Sequence, residues 1–211
     1  MKLVEALPRG KSLELATGSG SDAEASFGRL LERTAARGTL RSGGKLVQVP
    51  AAHATIEAPF RDGLRTVVSV PAPGVATAYH SAGVENVVTY AAAPRATIRA
   101  MRALRPIVSA LRSRPARWLT SALLERVDDS DAEPAAREQL WGRLVSEDGR
   151  VAEGTLTMPH GPTLTAAIAV EASQRAATGR TSPGAYTPAM AFGAGFITEF
   201  SGCDLRVPRS A

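Results

Sequence analysis

Lys11-Ser-Leu-Glu-Leu-Ala-Thr17, followed at once by Gly18-Ser-Gly-Ser-Asp-Ala23, is the stretch that decides the fold class. Its second half fits G-x-G-x-x-A, comes after a strand-like run and precedes a helical pattern, which is the setting of a dinucleotide-binding turn. Two physical requirements are unmet. The strand feeding such a turn is buried on both faces and reads as a continuous apolar run. Lys11 to Thr17 instead alternates polar and apolar, and predicts a half-buried strand with Leu13 and Leu15 inward. About twenty residues on, where a carboxylate should meet the ribose, the chain offers Ser42-Gly43-Gly44. The stretch therefore predicts a strand, a flexible turn and a helix, with no cofactor held by this chain.

Outward from it, Ser21 and Glu24 form a capping box, and Phe27, Leu30, Leu31 and Thr34 recur at helical spacing until Gly38. Gly43-Gly44 introduces a strand over Leu46 to Val49. Strands over Ala54 to Ala58 and Leu64 to Val70 flank Asp62-Gly63, a hairpin turn signal. Pro71 to Gly83 predicts an exposed loop or short helical turn, and Val84 to Ala92 a strand. Ala96 to Val127 is helical, with Ile98, Met101, Leu104, Val108 and Leu111 on one face and Pro106 dividing the run. After the acidic link Asp128 to Pro134, a second hairpin joins Gln139 to Ser146 with Arg150 to Met158 through Asp148-Gly149. A helix opens at Pro162, carries Leu164, Ile168 and Ala172 on one face, and closes at Gly179. Thr187 caps a last helix reaching Glu199, and Leu205 and Val207 belong to a terminal strand. This order predicts an α+β fold: a mixed, mainly antiparallel sheet with helices packed on one face, in a single domain over residues 1–211.

Composition narrows the function. With 211 residues, 44% hydrophobic and 21% charged, the chain can bury one continuous core. No apolar run approaches the roughly 18 residues of a membrane-spanning helix, and the first apolar stretch contains Glu5 and is too short for a signal-peptide core. A cytoplasmic protein is expected. Cys203 is the single cysteine, and His53, His80 and His160 have no metal-ligand spacing, so no metal site is expected. The formal charge of +5 invites a nucleic-acid hypothesis, but only three of the 25 basic residues are lysines, a skew that GC-rich coding also produces. Arg95, Arg99, Arg102, Arg105, Arg112, Arg114 and Arg117 form an acid-free series that would suit a lipid surface or lie solvated beside the acidic link. Base-stacking aromatics are absent from it apart from Trp118. No nucleic-acid partner is expected, and peripheral membrane contact is the alternative function. Tyr79-His80-Ser81 places a phenol, an imidazole and a hydroxyl where a strand gives way to a turn, so that they could face a cleft. There is no G-x-S-x-G elbow, and Cys203 suits a small buried residue better than a nucleophile.

Those same residues belong to Pro71-Ala-Pro-Gly-Val-Ala-Thr-Ala-Tyr-His-Ser-Ala-Gly-Val-Glu-Asn-Val-Val-Thr-Tyr90, which resembles the "PWGDVsTAYHSTGIPNIevY" segment of saccharopine dehydrogenase-like oxidoreductases, a group that includes trans-acting enoyl reductases. Gly184-Ala-Tyr-Thr-Pro-Ala-Met-Ala-Phe-Gly193 resembles the family's "G-x-x-T-P-A-x-x-F-G" ending, and Arg37 to Thr39, the hairpin at Trp141-Gly142 and the helix Thr163 to Ala177 agree in order. The family's Trp-Gly-Asp is here Ala72-Pro73-Gly74. The resemblance implies that this chain corresponds to the second, substrate-binding and dimerising domain, and that it is not active alone. In a complete member NADP or NAD is held by an N-terminal Rossmann domain; for this chain the resemblance leaves open a separate Rossmann-domain subunit, a truncated gene or a wrongly assigned start codon. It further implies a homo-oligomer, hydride reduction of a double bond, and an acyl or lipid-like small-molecule substrate, for which the apolar faces Ile98 to Leu111 and Leu119 to Val127 are suited. Tyr79, His80, Ser81 and Thr187 are the substrate-binding candidates; no catalytic residue is assigned.

Overall fold

A computed structural model describes residues 1–19, 38–110, 137–179 and 181–207, the side chains of Ser19 and of 104–110 excepted. The helix expected after Ser21, the helical stretch beyond Ala110 and the acidic link lie outside the described residues.

Among the described residues nine strands form one sheet: β1 Gly10–Ser19, β2 Gly38–Ser42, β3 Lys45–Val49, β4 Thr55–Phe60, β5 Gly63–Ser69, β6 Asn86–Ala92, β7 Glu138–Ser146, β8 Val151–Met158 and β9 Asp204–Arg206. The main order is β3-β2-β6-β1-β7-β8-β9, and the β4–β5 hairpin joins β6 beside β2. Strand β6 thus shares one edge between two hairpins, meeting β2 at Val87 and β5 at Tyr90 to Ala92. Its other edge pairs with β1 in parallel, while the remaining pairings are antiparallel. The sheet is mixed and mainly antiparallel, the α+β class that the two Asp-Gly hairpins predict. Strand β2 is an addition to the sequence expectation, and Gly43-Gly44 is the turn of its hairpin. With φ of +53° and +75° these glycines supply the two left-handed positions that a tight two-residue turn needs.

The helices are α1 Lys2–Ala6, α2 Gly74–Ala82, α3 Arg95–Ala110, α4 Gly161–Ala177 and α5 Pro188–Phe192, with a 3₁₀ turn over Phe196–Glu199. Side chains alternate across a strand, so on β6 Val87 and Ala91 face one way and Val88 and Tyr90 the other. The first face carries α1 and α2 on Leu13, Val87 and Leu144, and Ile98 and Met101 of α3 on Val68 and Val70. The second face packs Ala16, Tyr90 and Trp141 against Ala58, Phe60 and Val67 of the β4–β5 hairpin. That hairpin is tied across the sheet: the Arg61 amide donates to Gln139 Oε1 at 3.0 Å and its guanidinium to Asp204 Oδ2 at 2.6 Å. The sheet therefore curls over its own second face. In consequence β1 is covered on its second face at Ala16, 0% exposed, while Leu13 and Leu15 face the helices as expected and Lys11 and Thr17 stay exposed.

Three helical expectations are corrected. Pro71 to Gly83 holds the nine-residue α2 rather than an exposed loop or single turn. Its prolines precede the helix, and Gly83 at φ +67° closes it in a left-handed cap, its amide donating to the Tyr79 carbonyl. Helix α3 continues past Pro106 to Ala110 instead of dividing there. The last helix stops at Phe192, because Gly193 takes φ +91° and only a 3₁₀ turn follows.

Candidate functional site

Helix α2 can lie low on the sheet because Gly74 has no side chain; a Cβ there would touch Thr89 Cγ2 at 3.3 Å and Leu15 Cδ1 at 3.4 Å. Successive helical residues turn by about 100°, so Thr77, Ala78, Ser81 and Ala82 share one face. That face and α1 wall a cleft of about 420 Å³, floored by Leu13 and Leu15 of β1. Ile168 of α4, Thr187 to Ala189 at the head of α5, and Phe196 and Ile197 of the 3₁₀ turn complete it. Arg175 braces the far wall from behind: its guanidinium pairs with Glu171 at 2.7 Å and with Glu199, and lies 4.7 Å from the Phe196 ring centre.

Among the described residues no side chain lining the cleft is charged. Burial also draws the Met1 α-amino group at its edge below its ordinary pKa, with Glu5 opposing. Among the described residues the polar side chains of the lining are three hydroxyls. Thr77 is spent on its own helix, donating to the Pro73 carbonyl at 3.2 Å. Ser81 Oγ and Thr187 Oγ1 bond each other at 2.8 Å across 106 residues of sequence. Thr187 is also the N-cap of α5, its Oγ1 accepting the Met190 amide at 3.4 Å.

Of the four sequence candidates, the fold brings Ser81 and Thr187 together and turns Tyr79 and His80 away. Tyr79, 37% exposed, stacks under the Arg41 guanidinium at 4.3 Å and meets the His80 ring edge-on at 5.5 Å. Arg41, only 7% exposed, donates to the Val75 carbonyl at 3.0 Å and the Gly44 carbonyl at 2.6 Å. The pair thus rivets the β2–β3 turn to α2. Sequence reasoning missed both Arg41, which follows from missing β2, and α1. The spacing of Leu3, Val4 and Leu7 at i, i+1 and i+4 was the available signal for α1.

Several other expectations find their places. Gly18 lies inside β1 opposite Gln139, where a Cβ would stand 3.1 Å from the Phe60 ring; it serves close packing, and Gly20 to Ala23 lie outside the described residues. Ile98 and Met101 are core residues; the side chains of Leu104 and Val108, and the whole of Leu111 and of Leu119 to Val127, lie outside the described residues. Two arginines of the basic series bond their own sheet, Arg95 with Glu57 at 3.0 Å and Arg102 with Thr55 Oγ1 at 2.6 Å, whereas Arg112, Arg114 and Arg117 lie outside the described residues. Cys203 is half-buried, and burial pushes its thiol up, away from the reactive thiolate. Among the described residues no His, Cys, Asp and Glu cluster could hold a metal, and no helix is long and apolar enough to cross a membrane.

Comparison with known proteins supports the architecture. No family model matches the chain, and no curated protein does. Among solved structures, the apo histidine-tagged saccharopine dehydrogenase (L-Glu forming) from Saccharomyces cerevisiae superposes with a TM-score of 0.58 at 12% identity. The match covers 98% of this chain and 69% of that one. The fold is therefore saccharopine dehydrogenase-like; at this identity the likeness speaks to fold alone.

Proposed function

We propose that this chain is the substrate-binding part of a saccharopine dehydrogenase-like oxidoreductase, and that its substrate lies in the cleft between α1, α2, α4 and α5. The observation that carries the reading is the cleft itself, an apolar cavity with convergent hydroxyls on the helical face of a sheet of this fold. The residue patterns of Pro71 to Tyr90 and Gly184 to Gly193 support it, since both segments supply cleft walls. A nicotinamide nucleotide on a separate domain would supply the hydride. This chain's residues would exclude water from the substrate and fix its orientation through Ser81 and Thr187.

The test uses N-phenyl-1-naphthylamine, a neutral fluorophore that brightens in apolar surroundings. The purified chain should bind it saturably at micromolar concentration, and Thr77→Phe, which fills the cleft from an exposed position on α2, should abolish binding while the melting temperature holds. Equal binding by both proteins would remove the cleft as a ligand site. Micromolar binding of NADPH to the chain alone would contradict the division of labour.

A further inference from the structure

We infer that Gly184 to Gly193, the turn before α5 together with α5 itself, is a lid that gates the cleft and is latched shut by the Ser81–Thr187 hydrogen bond. This rests on the reading of the cleft as the ligand site and adds how a ligand enters it. Thr187, Pro188, Ala189 and Gly193 line the cleft, yet no residue of α5 is buried, and Pro188 and Met190 are exposed. The segment is thus a wall one helix thick between the cavity and solvent. It is braced within itself: the Met190 and Ala191 amides donate to the Thr187 carbonyl at 2.9 and 3.0 Å, and the Tyr186 ring lies over Gly184, where a Cβ would stand 2.8 Å from it. A piece held together in this way moves as a unit.

Gly193 is where it turns. Its φ of +91° and ψ of 162° fall in a region that only glycine enters freely, and nothing would stand within 4 Å of a Cβ there. Beyond it the chain is anchored, for Phe196 is 3% exposed, meets the Phe200 ring edge-on at 5.2 Å and carries the Arg175 guanidinium on its face. The Phe192 ring, 4.8 Å from that of Phe196, is the pivot beside the hinge. On the other side residues 182–186 are all exposed, so the chain there can follow the helix. Across the cleft, the hydrogen bond between Ser81 Oγ and Thr187 Oγ1 at 2.8 Å holds α5 to α2. One neutral hydrogen bond shifts an equilibrium by only roughly two- to tenfold, which suits a latch that thermal motion opens.

Stopped-flow binding of N-phenyl-1-naphthylamine tests this. A gate scales the association and dissociation rates alike, by the fraction of open lid. Ser81→Ala should therefore raise both rates by roughly two- to tenfold while their ratio holds, whereas a hydroxyl that only contacts the probe would change the ratio. With Ser81→Cys and Thr187→Cys in a Cys203→Ser background, oxidation by copper–phenanthroline should slow uptake by about tenfold or more, and dithiothreitol should restore it. Equal uptake by the oxidised and reduced protein, or unchanged rates in Ser81→Ala, overturns the lid and leaves the cleft a ligand site. Failure of the probe to bind the wild-type chain overturns both.

Discussion

Gly142→Ala tests how α1 is seated, and through it the shape of the cleft. Gly142 of β7 sits opposite Leu15 of β1 and Gly154 of β8, so the two glycines leave a bare patch on the helical face. Leu3 of α1 fills it: a Cβ on Gly142 would stand 2.9 Å from Leu3 Cδ1 and 3.2 Å from Leu15 Cδ2. Gly142 has no positive φ, so alanine gains about 0.4–1 kcal/mol from the unfolded chain. Against this stands about 1–3 kcal/mol for overpacking. Net destabilisation should be about 1–2 kcal/mol, or roughly 2–8 °C in melting temperature for a chain of this length. Leu3→Ala in the Gly142→Ala background should restore part of the loss, a non-additivity that contact predicts. Gly154→Ala should be worse, because its Cβ meets the Arg206 carbonyl oxygen at 2.9 Å and backbone cannot swing aside. Urea and thermal unfolding read all four proteins. A neutral or stabilising Gly142→Ala, or a Gly154→Ala that is no worse, would refute the seating of Leu3 on the glycine pair.

Leu144→Ala empties a fully buried site at the centre of the helical-face core and should cost about 2–5 kcal/mol in urea unfolding. The Tyr90 phenol is pushed up to about 12, by burial first and then by the Glu14 carboxylate. Because its folded pKa exceeds the ordinary value near 10, the stability it contributes is full below pH 10 and is lost as pH rises through about 12. Tyrosinate absorbance should show a phenol titrating near 12 that Glu14→Gln brings down; the absence of any such late phase would contradict this. Asp148 is held down at about 2 by the Ser146 hydroxyl and then by Arg150. Its contribution is thus present above its unfolded pKa near 4 and vanishes as pH falls through about 2, so Asp148→Asn should flatten the acid limb of the urea midpoint against pH.

The local turns were legible because their chemistry is local. Asp62-Gly63 and Asp148-Gly149 mark hairpins without help from the rest of the chain, and Thr187-Pro188 marks a helix start. Strand β2 was not, since Gly-Thr-Leu-Arg-Ser has a single large apolar residue and becomes a strand by pairing with β3 and, at Arg41, with the distant Val87. In Pro71 to Gly83 the breakers bound a helix rather than interrupt one, a distinction that needs the sheet beneath Val75 and Ala78. The candidate site divided for the same reason. Ser81 and Thr187 stood out separately, but their contact is tertiary, and only a helix explains why Ser81 faces the cleft while its neighbours Tyr79 and His80 face the β2–β3 turn and solvent.

A crystal structure of the chain soaked with N-phenyl-1-naphthylamine tests the central claim most directly. The probe should lie in the cleft between α1 and α2, against Leu15 and Ile168. Probe bound elsewhere, with the cleft empty, would contradict the account.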